Sequence, residues 1–192
     1  MAITEVAVLQ SSTSPVPESL KTIFTENSKK IDGWAASKPG LYFQGTWLFQ
    51  QTGDPSVMMM PAKWKNKTAY GQWAVSEEHL RVLLTVIPHL AIKDGKPNGD
   101  MWFLERDVFM SASNEKLEVK GLLGDFAKPF AVRGAWKTDL EDEPRDAEWY
   151  VVVGWPSVEK HMDFAKQESF AKYRELMGFI THFEVRHYRR FS

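Results

Sequence analysis

The 192 residues include no cysteine. That absence excludes disulfides, thiolate metal sites and a cysteine nucleophile. Neither sign of charge dominates: 24 Lys and Arg stand against 25 Asp and Glu, a formal net charge of −1. The chain therefore lacks the basicity of a nucleic-acid binder, and no dense Lys/Arg stripe replaces it. Lys63, Lys65 and Lys67 alternate beside a predicted helix start, as a solvated edge does. No apolar run approaches the roughly 18 residues of a membrane span. Met1 to Gln10 alternates like a strand and lacks the basic start and apolar core of a signal peptide. The expectation is a soluble, cytoplasmic protein with no nucleic-acid or membrane partner. There is also no H-x-H or H-E-x-x-H, no P-loop, no G-x-G-x-x-G after a strand and no G-x-S-x-G. Metal, nucleotide-cofactor and serine-hydrolase chemistry thus have no motif to stand on, and the expected cofactor and metal complement is none.

What the chain does have is aromatic side chains and an internal repeat. It carries 8 Trp, 12 Phe and 5 Tyr. Gly45-Thr46-Trp47 aligns with Gly134-Ala135-Trp136, and each is followed by an acidic, proline-containing turn and an apolar run ending in Trp64 or Trp155. Helix-capping residues come next, Asn66 and Ser157, then a large aromatic, Trp73 or Phe164. Val86 to Ile92 lies opposite Phe179 to Val185. A unit of about 90 residues is too long for a solenoid repeat. It reads as a small domain duplicated and fused into an intramolecular pseudo-dimer, open to further homodimerisation.

Periodicity orders each unit as β-α-β-β-α-β, the ferredoxin-like arrangement. In the first unit (1–92), Ile3 to Leu9 alternates as a strand, and Pro15 and Pro17 open a helix with Leu20, Ile23, Phe24, Ile31 and Trp34 at helical spacing. Leu41, Phe43, Gly45, Trp47 and Phe49 share one face of a second strand, which Gly53-Asp54-Pro55 turns into a third, Ser56 to Trp64. Asn66 caps a helix with Trp73, Leu80, Leu84 and Ile87 down one stripe, and a strand follows at Pro88 to Ile92. Residues 93–100 read as a polar linker. In the second unit (101–192), strands are expected at Trp102 to Met110, Phe130 to Thr138, Ala147 to Trp155 and Thr181 to Arg190. A short helix interrupted by Gly121 and Gly124 falls within Ser113 to Phe126, and a long one runs from Ser157 to about Met177. A sheet with helices on one face leaves the other face bare, which soluble monomers avoid. The fold class is therefore α+β: two ferredoxin-like units in tandem, their antiparallel sheets packed face to face as an α/β barrel.

This order of elements, with Trp155-Pro156-Ser157-Val158-Glu159 and then His161 and Phe164, resembles the dimeric α/β-barrel superfamily, especially antibiotic-biosynthesis-monooxygenase-like domains. The resemblance covers nearly the whole chain, twice, and its motif is moderately specific. It implies a small-molecule pocket in a superfamily of cofactor-free oxygenases, heme-degrading enzymes, polyketide cyclases and isomerases; fold alone does not choose among them. Heme-degrading members resemble the first unit in the Trp64 and Trp73 spacing, but place a heme-ligating His where this chain has Leu83. His79 would point about 40° away at 100° per residue. Plant-type cyclases pair a Tyr with a His six residues on; here those positions are Trp73 and His79, or Phe164 and Phe170.

His161 falls on the inward side of its helix, where a partly buried imidazole suits a general base. The plain alternative is a core histidine satisfied by backbone. Its counterpart is Tyr70, a hydrogen-bond donor. His89 and His182 recur at the entry to the last strand of each unit, a repetition that suits a structural role as well as a catalytic one. His182 and His187, five apart on a strand, face opposite ways. Trp47, Trp64, Trp73, Trp136, Trp155 and Phe164 are the expected walls for a small aromatic or polycyclic substrate, or plain core filling. The leading functional expectation is a cofactor- and metal-independent enzyme doing general acid–base chemistry: cyclisation, isomerisation or dehydration of an aromatic or polyketide-type intermediate. A cofactor-free monooxygenase is the alternative, and a non-catalytic ligand-binding or scaffold protein is the third.

Overall fold

The computed structural model describes residues 2–39, 41, 43–105, 132–138, 147–171, 174 and 177–191. The fold is α+β, built on a curled antiparallel sheet. β1 (Ile3–Gln10) pairs along its whole length with β4 (Val57–Trp64), from Ile3↔Trp64 to Gln10↔Val57. α1 (Glu18–Ala36) starts after Pro17 and buries Leu20, Phe24 and Ile31, as the helical spacing predicts. Its buried Asn27 donates to Thr85 Oγ1 at 2.9 Å.

The second predicted strand is split into β2 (Phe43–Thr46) and β3 (Phe49–Gln51). Gly45 sits at φ 89, a left-handed conformation natural to glycine, and the register with β4 shifts there. The bulge rephases the strand: Leu48, not its alternating neighbours, is buried at 2%. It also accommodates Pro61 in the middle of β4. The Pro61 carbonyl takes the Trp47 amide at 3.1 Å, while its nitrogen, which cannot donate, faces the break.

The helix expected to run on from Asn66 is two: α2 (Lys67–Ala74), capped by Asn66, and α3 (Glu77–Val86), capped by Ser76. Ser76 Oγ donates to the Trp73 carbonyl at 2.7 Å and accepts the His79 amide at 3.1 Å, so one side chain ends one helix and starts the next. The single-stripe expectation fails across this break. Leu80 and Leu84 are 58% and 62% exposed, while Val82 and Val86 turn inward.

Nor does Pro88 to Ile92 form the fourth strand. Ile87–His89 is a 3₁₀ turn, and beyond it the segment meets the end of β1 only through an isolated bridge of Leu90 to Ser11, flanked by the Ser12 amide on the His89 carbonyl and the Ala91 amide on the Gln10 carbonyl. The presumed linker contains a hairpin, β5 (Ile92–Lys93) with β6 (Lys96–Pro97), turned by Asp94 and Gly95 at positive φ. β7 (Gly99–Leu104) then takes the edge of β1 that the fourth strand was expected to fill, pairing from Thr4↔Leu104 to Leu9↔Gly99.

β8 (Val132–Thr138) pairs with β7, and β9 (Trp149–Val153) with β8. The helix expected within Ser113 to Phe126 and the strand residues 106–110 and 130–131 lie outside the described residues. α4 (Val158–Phe164), capped by Ser157, is much shorter than the helix predicted to Met177. From Lys166 to Ser169 the chain offers no apolar side chain to hold the helix against the body, and helical turns resume at Glu168–Phe170 and Met177–Phe179. Of the strand expected from Thr181, only β10 (Tyr188–Arg190) forms, on β3. β3 is three residues long and ends in the Gly53-Asp54 turn, so residues before His187 run past its end.

The sheet order is β10-β3-β4-β1-β7-β8-β9, with β2 also on β4. The halves thus meet edge to edge through β1 and β7 in one curled sheet, where two sheets packed face to face were expected. The first half keeps its third strand in the middle, as a ferredoxin-like unit does, whereas β7, β8 and β9 of the second run in chain order and β10 lies on the first half. α1, α2 and α3 cover one face, burying Ile3, Trp64 and Trp73 in one cluster and Leu20, Phe24 and Leu48 in another. Val6, Val8, Leu104 and Ala135 form the core of the opposite face. No helix among the described residues is long and apolar enough to cross a membrane.

Candidate functional site

The expected site residues separate into distinct places. The first is in the second half. Ser157 turns the chain after β9 into α4, and this sets His161 one turn in, half-buried. Its ring stacks on Trp155 with centroids 4.8 Å apart and planes 17° from parallel. Phe164, 3% exposed, backs Trp155 at 5.8 Å and meets Phe170 edge-on at 5.3 Å. The unforeseen member is His187. Its Nε2 lies 2.7 Å from His161 Nδ1, and the ring centroids are 5.0 Å apart.

Two imidazoles bonded this way share their tautomers, because one nitrogen must donate and the other accept. Burial, and then the charge on His187, hold the His161 pKa below its ordinary value. His161 is therefore a neutral imidazole at pH 7. If His161 donates from Nδ1, its Nε2 carries a bare lone pair, the form a general base requires. Sequence reading placed His182 and His187 on opposite faces of one strand and gave His187 no role. The contact spans 26 residues and depends on the strand not forming before Tyr188.

The second place is in the first half, and it is closed. Trp64, Tyr70 and Trp73 are 1%, 6% and 3% exposed, and Trp34 and Phe103 pack against them edge-on. The Tyr70 hydroxyl donates to Met101 Sδ at 3.4 Å. Its pKa is pushed up to about 12, by burial and then by the nearby Glu5 carboxyl. His79 donates from Nδ1 to the Ala74 carbonyl at 2.9 Å and lies against Trp73. In the middle of this aromatic packing sits Glu5, which accepts the Trp64 indole N–H at 2.8 Å. Burial pushes its pKa up to about 7, against the lowering effect of that hydrogen bond. Sequence analysis read Ile3 to Leu9 as an alternating strand and did not single out Glu5.

The remaining candidates join neither cluster. Trp136 is 46% exposed and meets Trp149 edge-on at 4.8 Å on the outer face of β8 and β9. Trp47 is half-buried at the β2–β3 break. His89 offers its backbone carbonyl to the Ser12 amide at 2.9 Å. His182 is exposed in the segment before β10. A groove of about 440 Å³ on the outer side of α1, beside Lys21, Thr25, Lys29 and Phe191, is lined by none of the expected residues. No group of three or more metal-ligating side chains occurs among the described residues.

No protein-family profile matches the chain, and no curated protein matches it. Solved structures do resemble it. SnoaB, a cofactor-independent oxygenase from Streptomyces nogalater, is 12% identical and aligns over 57% of this chain and 97% of its own, with a TM-score of 0.42. A candidate antibiotic biosynthesis monooxygenase from Caulobacter crescentus is 16% identical over 55% of this chain and 90% of its own, with a TM-score of 0.42. A conserved protein from Methanosarcina mazei is 16% identical over 56% of this chain and 94% of its own, with a TM-score of 0.40.

Proposed function

We propose that the chain is a small-molecule enzyme whose central step is proton abstraction by His161 Nε2. The observation that carries this is the 2.7 Å bond from His161 Nδ1 to His187 Nε2, made half-buried against Trp155. A base needs a lone pair at neutral pH, an orienting partner on its other nitrogen, and surroundings that exclude bulk water. The histidine pair offers the first two, and the Trp155 ring, backed by Phe164, shields one side of the imidazole. The substrate class that suits such walls is an aromatic or polycyclic phenol or enolisable ketone. Removing its proton gives a phenolate or enolate, and returning the proton at another atom completes a cyclisation or isomerisation without redox change. Tyr70, buried on Met101 with its pKa raised, is the poorer candidate.

Turnover of a panel of polycyclic phenols and enolisable aromatic ketones, with oxygen uptake recorded alongside, tests this. His161→Ala is expected to lose about 10²–10⁴-fold in kcat. Tyr70→Phe is expected to stay within a few-fold of wild type. Stoichiometric oxygen consumption that also needs His161 would move the chain to the cofactor-free monooxygenase class, in which the anion itself reduces O₂. Tight binding of panel members with no turnover would make it a ligand-binding protein. An unchanged rate in His161→Ala ends the assignment of the base.

A further inference from the structure

His161 and His187 come from opposite sides of the molecule's seam. His161 rides on α4, after β9 at one end of the sheet order; His187 immediately precedes β10 at the other end. β10 is held by the first half. Tyr188, Arg189 and Arg190 pair with Gln51, Gln50 and Phe49, the Thr52 amide donates to the His187 carbonyl at 2.8 Å, and the Phe191 amide donates to the Leu48 carbonyl at 2.9 Å. The Phe191 ring packs on the cluster around Leu20, Phe24 and Leu48, with Lys21 Nζ 5.5 Å from its centroid. Five consecutive residues therefore fix the His187 backbone to the first half, while its side chain reaches the second.

We propose that His187 is a positioning residue, presented to His161 by the docking of the C-terminal strand on β3, and that it selects the His161 tautomer with the proton on Nδ1. An orienting group on a catalytic imidazole is commonly a carboxylate. Here the carboxylates of the two elements are engaged elsewhere: Asp163 with Lys166 at 2.9 Å, Glu184 with Arg186 at 2.7 Å, and Glu159 with Ser157 at the helix start. A neutral imidazole can do the same work when its bare Nε2 is aimed at Nδ1–H, and the strand clamp supplies the aim. The acid–base pair is then complete only when the first half grips the last residues of the chain. Its consequence for turnover rests on the reading of His161 as the base; the geometry of the pair does not.

The test is long-range ¹H–¹⁵N NMR of the imidazole nitrogens in the full chain, which needs no substrate. In wild type at neutral pH, His161 should show one dominant tautomer, protonated at Nδ1. His187→Ala should lose that dominance, because the acceptor facing Nδ1–H is gone. His187→Gln places an amide oxygen where Nε2 was and should restore the Nδ1–H tautomer; His187→Asn, a bond shorter, should not. Phe191→Ala should reproduce the His187→Ala pattern although both histidines remain, and Thr52→Pro, which removes the amide that holds the His187 carbonyl, serves if Phe191→Ala does not fold. A His161 tautomer unchanged in His187→Ala overturns the positioning role. A loss in His187→Ala with no change in either clamp variant overturns the role of the strand. Neither result depends on whether His161→Ala impairs turnover, so a failed enzyme assignment remains distinguishable.

Discussion

Glu5→Gln should make this protein more stable at neutral pH, by an amount that depends on pH in a defined way. Glu5 has a folded-state pKa of about 7 against an ordinary value of 4.5. Each unit of difference corresponds to about 1.4 kcal/mol between the two states. Below pH 4.5 the carboxyl is protonated in both states and costs nothing on this account. As pH rises from 4.5 towards 7, the unfolded chain ionises while the folded one holds its proton, so the unfolded state gains and stability falls. Above about 7 both states are ionised and the loss levels off near 3 kcal/mol. Glutamine never ionises, and its amide oxygen can still accept the Trp64 N–H that Glu5 takes at 2.8 Å. Urea unfolding of both proteins at pH 5, 6, 7 and 8, followed by tryptophan fluorescence, isolates the effect, because other titrating groups cancel in the difference. The variant should draw ahead by about 1 kcal/mol per pH unit and then hold a constant lead. A difference that does not change with pH, or a variant less stable at pH 8, would refute the reasoning. It would mean that Glu5 is hydrated or finds a cationic partner.

Other outcomes follow from the same contacts. The rate of any His161-dependent reaction should fall on the acid side with a midpoint below 6.5, since burial and His187 both disfavour the imidazolium; a pH–rate profile shows this. Ser76→Ala removes the cap of α3 and a tie to Trp73, and thermal melts should show a loss of about 0.5–2 kcal/mol. Gly134→Ala would put a Cβ 2.5 Å from the Trp149 ring, so the Trp136–Trp149 pair must separate. Near-ultraviolet circular dichroism should lose that pair's signal, with a cost of about 1–3 kcal/mol. Gly99→Ala should be worse, because there the Cβ meets the Val8 backbone carbonyl across the β1–β7 seam and no side chain can move aside.

Signals carried by a few neighbouring residues were legible in the sequence. Alternation in Ile3 to Leu9, helical spacing from Leu20 to Ile31, the turn at Gly53-Asp54-Pro55 and the caps at Asn66 and Ser157 are short-range instructions, and each element starts where they say. The α+β class follows from the same kind of reading. What the sequence could not specify was competition between distant segments. Whether Pro88 to Ile92 or Gly99 to Leu104 sits beside β1 depends on which can complete a ladder, and only the second lacks a proline at its start and brings a glycine to the Val8 carbonyl. The alternation from Thr181 to Arg190 is strand-like throughout, yet pairing stops at the length of β3. That limit is a tertiary fact, and it is what leaves the His187 side chain free to turn to His161. Burial is tertiary too: Glu5 is an ordinary carboxylate in the sequence and becomes an acid with a pKa near 7 only when α2 and β7 bring Tyr70 and Phe103 over the first strand.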